Sequence, residues 1–313
     1  MKRSFLTIRA IIFVTSGLFA HNPKVWRKLK QNVNFIVAND LDKGGCYDQQ
    51  VIAKLMGEVA AKIKPECVIA VGDTHHGNGV KSATDDDWKE RFEDIYTHPK
   101  LKIDWYAALG NHEHRGNIQG VIDYAKVNPH WNMPARYYTH VFKKGGITIR
   151  IVVLDTTSLI EKYRKSEKYP ETDSEDQSIQ LEWLDSTLSK AKEDWVIVFG
   201  HHPIYADTKK NKSERSDLKS AINNTLRKYN NVEMYICGHI HNFQHLRSKS
   251  KSSNIDYIVN SSASESRSVK RTSRSIFCSP ETGFSVITVG KKSMALHMVD
   301  KNGNILHSVK REK

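Results

Sequence analysis

The chain has 313 residues, 39% of them apolar and 27% charged, with a formal net charge of +13. That length can bury a large core, and no composition shift or Pro/Ser-rich linker divides it; four cysteines in a chain of this size do not make a disulfide framework. The positive excess suits an anionic partner or solubility alone, while no arginine-rich helix or basic run interleaved with aromatics argues for dedicated nucleic-acid binding.

In chain order, Lys2, Arg3 and Arg9 precede a short apolar run that ends at Ala20. This pattern is expected to be a signal peptide over residues 1–20, giving an exported (periplasmic or secreted) protein whose residues 21–313 form a single domain. No later segment is apolar over the length that a bilayer needs. Short apolar runs at Phe35–Ala38, Val68–Val71, Trp105–Leu109, Ile149–Leu154, Trp195–Phe199 and Met234–Cys237 read as strands. Between them, Val51, Leu55, Val59 and Ile63 fall at helical spacing, as do Leu181, Leu184 and Leu188, and then Leu218, Ile222 and Leu226. The alternating segments Phe284–Val289 and Met294–Met298 are expected to finish a second sheet, with His297 and His307 as ordinary strand residues. Cys67 and Cys237 read as buried thiols, whereas Cys46 and Cys278 lie in loops and are candidates for pairing.

The chemistry is carried by the strand ends. Asn39-Asp40-Leu41-Asp42, Gly72-Asp73-Thr74-His75-His76, Gly110-Asn111-His112-Glu113-His114, Gly200-His201-His202 and Gly238-His239-Ile240-His241 each present Asp, Asn or His just after a strand. In an open α/β sheet the ligand site lies beyond the carboxyl ends of the strands, so these groups are expected to converge. Glycine ahead of the ligands allows a sharp turn and leaves room for an ion. Carboxylates, an amide and imidazoles without thiolates suit Zn, Mn or Fe, and some seven candidate donors exceed what one tetrahedral ion needs.

These motifs, in this order, resemble the calcineurin-like metallophosphoesterases, and the context GNHEHRGN is similar to the small purple acid phosphatases. The resemblance runs from about Phe35 to beyond Ser262. It implies an α/β, four-layer αββα sandwich of two mixed sheets flanked by helices, with a dinuclear centre at the strand ends. It also implies a division of ligands: Asp40 and His241 for one ion, Asn111, His201 and His239 for the other, and Asp73 bridging, while His112 contacts the phosphate or the leaving group; His76 falls at the position of a further ligand to the first ion. The cofactors implied are two divalent or mixed-valence ions drawn from Fe, Zn and Mn.

Two positions depart from that pattern. Purple acid phosphatases carry a tyrosine three residues after the bridging aspartate, where this chain has His76, so an Fe(III)-tyrosinate is not expected. Asp42 stands where they have glycine, and it is either a further ligand or a carboxylate satisfying backbone groups in its own turn. His75 is the alternative to His76 if the loop register differs. The expected reaction is hydrolysis of a phosphorylated small molecule or protein, with His112, and as a second candidate His202, protonating the leaving group. The basic stretches Asp207–Arg215 and Ser264–Arg274 either clamp that substrate or are solvated loops. A phosphodiesterase or exported nuclease, and a non-catalytic phosphate-binding protein, are the alternative functions; the sequence leaves the oligomeric state open.

Overall fold

The computed structural model describes Trp26, Leu29 and residues 32–172, 176–247 and 254–313; the expected signal peptide lies outside them. Two seven-stranded mixed sheets face each other. In the first, β1 (Val33–Ala38), β2 (Cys67–Val71), β3 (Trp105–Ala108) and the short β4 (Trp131–Asn132) run parallel. In the second, β5 (Tyr138–Lys144) pairs antiparallel with β6 (Ile147–Leu154), which starts a parallel series through β7 (Trp195–Gly200), β8 (Val232–Cys237) and β10 (Asp256–Val259). Strands β9 (Phe243–Arg247) and β11 (Ser275–Ser279) close that edge antiparallel.

The continuous apolar runs have a structural cause. Parallel strands covered on both faces have no side left for polar residues. Along β6 and β7, Ile149, Ile151, Val153, Trp195, Ile197 and Phe199 point between the sheets. Their alternate neighbours Val152, Leu154, Val196 and Val198 pack under two helices, α2 (Gln177–Lys190) and α3 (Lys212–Lys228), through Leu184, Leu188, Leu218, Ile222 and Leu226. On the other side α1 (Gln49–Ile63) covers the first sheet with Ile52, Leu55, Met56, Val59 and Ile63. Val51 is 53% exposed, so the buried stripe is offset by one residue from the spacing expected at its start. The layers are therefore helix, sheet, sheet, helix, as the resemblance implied.

The tail corrects one expectation. Strands β12 (Gly283–Val289), β13 (Ser293–Asp300) and β14 (Ile305–Glu312) extend the first sheet, not the second, because β12 pairs antiparallel with β1, Phe35 opposite Ile287. All seven residues of β12 are buried, which suits a position flanked by β1 and β13. Cys46 and Cys278 are not bonded to each other, and Cys67 and Cys237 are buried thiols. No helix among the described residues is long and apolar enough to cross a membrane.

Candidate metal centre

The five strand-end loops converge on one cluster. Asp40 lies two residues past β1 and is completely buried. Its Oδ1 is 3.0 Å from His241 Nε2 and 4.0 Å from His76 Nε2, and its Oδ2 accepts from the backbone N–H of His239 at 3.0 Å. Asp73, two residues past β2, splits its oxygens: Oδ1 accepts from the backbone N–H of His112 at 2.9 Å, while Oδ2 lies 3.1 Å from His201 Nε2 and 3.9 Å from His112 Nε2. Donor atoms of Asp40, His76 and His241, of Asp40, Asp73 and His201, of Asp73, His76 and His112, and of His201, His202 and His239 form four groups, each with its atoms within 4.8 Å of one another. Asp40 and Asp73 link three of them, and His201 joins the fourth.

Backbone geometry shows how short segments present so many donors. Asp40, Asp73, His239 and His241 all have left-handed backbone, with φ of 49°, 50°, 68° and 59°. Such conformations are costly for residues with a Cβ and gather at functional sites. The glycines ahead of them mostly supply room and not a turn. Only Gly72, at φ +82°, is left-handed, whereas a Cβ on Gly110 would lie 2.2 Å from Asp73 Oδ1 and one on Gly238 would lie 2.9 Å from Asp40 Oδ2. The buried amides behind the site are also connected: Asn260 Nδ2 donates to Asn39 Oδ1 and Asn39 Nδ2 to Asp40 Oδ2, both at 2.6 Å, so β1 and β10 jointly fix the Asp40 carboxylate.

The electrostatics are those of an ion site. Burial raises the Asp40 and Asp73 carboxyls, but the neighbouring imidazoles, His241 for Asp40 and His201 for Asp73, outweigh it and hold both below the usual carboxylate range. Burial lowers His201, yet Asp73 and Asp40 push it up to about 10. His76 and His239 are lowered, chiefly by burial, and so are neutral at pH 7, the form that binds metals. Asn111 Oδ1 and His76 Nε2 are buried without a hydrogen-bond partner, and Asp40 Oδ1 and His201 Nε2 face other candidate ligands, His241 and Asp73. Such atoms from carboxylate, amide and imidazole are what bound cations would satisfy, and without thiolate they fit Zn, Mn or Fe.

The remaining candidates separate by environment. His112 is partly exposed, with Nδ1 2.9 Å from Gly77 O. His202 is completely buried, and both its nitrogens are engaged, Nδ1 3.0 Å from Thr156 Oγ1 and Nε2 3.2 Å from Tyr163 OH. Asp42 accepts from the backbone N–H of Gly44 at 2.7 Å and of His76 at 2.9 Å, and faces Arg91 at 3.3 Å. That is the turn-satisfying role, and it positions the His76 backbone. His75 packs edge-on against Trp88 and belongs to none of the four donor groups.

Two carboxylates at the centre are not evident from the sequence. Glu113 accepts from the backbone N–H groups of Asp73, His75 and Gly110, tying two ligand loops together; burial and the Asp73 charge nonetheless push it up to about 7. Glu214, on the first turn of α3, sits 3.0 Å from His239 Nε2 and 2.7 Å from Lys162. The only signal for Glu113 is its place between His112 and His114, and Glu214 has none.

Residues 33–243 match the family described as calcineurin-like phosphoesterase. The chain belongs to that family. Purple acid phosphatase 7 of Arabidopsis thaliana is 31% identical over 79% of this chain and 76% of its own length, and tartrate-resistant acid phosphatase type 5 of Rattus norvegicus is 29% identical over 81% of each. Among solved structures, GAP50, described as the anchor in the inner membrane complex of Plasmodium, shares the fold with a TM-score of 0.75 at 21% identity, covering 90% of this chain and 89% of that one. This calcineurin-like phosphoesterase is thus a metal-dependent phosphoester hydrolase related to the purple acid phosphatases.

Proposed function

We propose that the protein hydrolyses phosphomonoesters at a two-ion centre and that it is exported, as its basic and then apolar leader suggests. The observation that carries the catalytic reading is the Asp73 carboxylate, which borders both the His201 side and the His76/His112 side of the cluster. Asp40, His76 and His241 would hold one ion, Asn111, His201 and His239 the other, and Asp73 both. When bound, two such ions neutralise the phosphate dianion and acidify a water to supply the nucleophile.

The chain's own residues do the rest. Asp40 and Asp73 keep their charge because the surrounding imidazoles hold their carboxyls low, so the negative centre is preformed. His112 donates through Nδ1 to Gly77 O, which fixes the ring and leaves Nε2 turned toward the Asp73 side, where a proton on it can pass to the departing oxygen. His202, without exposure and with both nitrogens engaged, is left out of proton delivery.

The test is the ratio of kcat/KM for an aryl phosphate monoester to that for the matching diester, on protein reconstituted with Zn, Mn or Fe. A ratio well above one is expected. A ratio well below one would make the protein a phosphodiesterase, and no turnover with any of the metals would make the centre a binding site only.

A further inference from the structure

Beside the centre lies a cavity of about 770 Å³ between the loop after β7 and the segment before β11. Its walls carry Lys209, Lys210, Arg267, Lys270 and Arg271. The acidic groups nearby are already committed. Asp207, the one carboxylate in the lining, accepts from the Thr272 backbone N–H at 3.0 Å and from its hydroxyl. Glu265 pairs with Lys43 at 2.7 Å, and Glu214 with Lys162 and His239. Among the described residues none of the five cations forms an ion pair, although Arg271 Nε donates to Ser275 O at 3.1 Å, so the lining carries an excess of positive charge.

The cavity shares a wall with the ligand loop. Ile240, between His239 and His241, lines it. Asn211, also in the lining, places Nδ2 2.9 Å from His239 Nε2, while the Arg267 backbone N–H donates to His241 O at 2.7 Å and its guanidinium to His239 O at 3.4 Å. A group leaving the centre across Ile240 therefore enters a chamber of small-molecule size with several positive charges. One phosphate at the centre does not use them. We infer that the preferred substrates are small phosphomonoesters whose leaving group carries a second phosphate, held by this cavity while the first is cleaved; the inference rests on the phosphomonoesterase reading above. Lys209 and Lys270 come from the two different segments that line the cavity and are exposed, so both are available to a second phosphate.

The experiment compares kcat/KM for alkanediol monophosphates with that for the matching bisphosphates of increasing chain length, on metal-loaded wild type and Lys209→Ala/Lys270→Ala. Calorimetric binding of a non-hydrolysable alkane bisphosphonate is measured on the same proteins. The bisphosphate of best-fitting length is expected to exceed its monophosphate by at least about tenfold. That preference should shrink with rising ionic strength, as attraction between accessible charges does, and the variant should bring the ratio toward one. Turnover of the monophosphate with no bisphosphate preference would overturn the cavity assignment and leave the phosphomonoesterase reading standing. No turnover, but bisphosphonate binding that the variant weakens, would overturn the hydrolytic reading and keep the cavity as a site for a second phosphate. No turnover together with binding that the variant leaves unchanged would overturn both.

Discussion

Asp73 and His112 touch, yet the geometry assigns them different tasks. Asp73 is buried, left-handed and shared between two donor groups, whereas His112 sits at the open side with its ring held through Nδ1 beside Gly77 O and Arg115. Asp73→Asn removes the charge that borders both ion positions, so it should lower bound metal and abolish turnover together. His112→Ala should cut kcat by about 10²–10⁴-fold, the usual worth of a positioned acid, while metal content measured by elemental analysis stays at the wild-type level. Equal metal loss in the two variants would refute this division. Both residues were legible in the sequence because a strand-end Gly-Asp and a Gly-Asn-His are dense in donors. Glu214 was not, because an acidic residue within the run Lys212-Ser-Glu-Arg215 looks like one more solvated charge on a polar helix, and only the packing of α3 against the centre buries it. Asp42 shows the reverse: its residue type admits two roles, and the three-dimensional turn supplies the backbone N–H groups that favour one.

Among the elements, the strand-to-loop junctions matter most. A Cβ on Gly72 would meet His201 Nδ1 at 2.6 Å and the Gly110 backbone nitrogen at 2.9 Å, and His201 Nδ1 is the atom that bonds Val71 O at 2.9 Å to orient the ring. Gly145, at φ +59° in the β5–β6 turn, has the same left-handed backbone but nothing within 4 Å of such a Cβ. Gly145→Ala should therefore cost only the backbone penalty of about 1–2 kcal/mol. Gly72→Ala incurs that penalty and must also displace His201, so its denaturant midpoint should fall further and its metal content with it. Matching midpoints for the two variants would mean that the junction has slack that the close approaches do not suggest. The six strands that the runs indicated are all present, since continuous apolar stretches report burial on both faces. Where the last strands belong was not legible, because alternation tells which residues face inward but not which strand lies alongside; pairing of β12 with β1 depends on residues about 250 positions apart.

For the molecule as a whole, the question is how stability tracks pH, because several buried histidines and carboxyls are shifted from their ordinary values. His297 on β13 is mostly buried; Nδ1 faces Ser308 Oγ at 2.8 Å, Nε2 has no partner, and burial together with Lys310 pushes it from its ordinary 6.5 down to about 4. Its folded pKa is thus below the unfolded one, and the stability it contributes is present above pH 6.5 and is lost as pH falls toward 4. His307 on β14 has the same sign, lowered to about 4 by burial and by His245 against the pull of Asp256. Asp155 and Asp256 are raised by burial but held low overall by His114 and His245 and by arginines; they also lose their contribution as pH drops through their lowered values. Glu113 acts oppositely, since a carboxyl raised to about 7 contributes fully below its ordinary 4.5 and loses that contribution as pH rises through 7. A simple melting curve mixes these signs, so the informative quantity is a difference. Tm of His297→Leu minus Tm of wild type should rise steadily as pH is lowered from 7 to 4.5, because the variant has no imidazole to charge while every other group is unchanged. A difference that stays flat across that range would mean that His297 is protonated in the fold without cost. A rising one would identify an acid-labile group in the sheet edge formed by β13 and β14, on the opposite flank of β12 from the β1 and β2 strands that carry Asp40 and Asp73, so that this part of the acid sensitivity can be altered without touching the ligand strands.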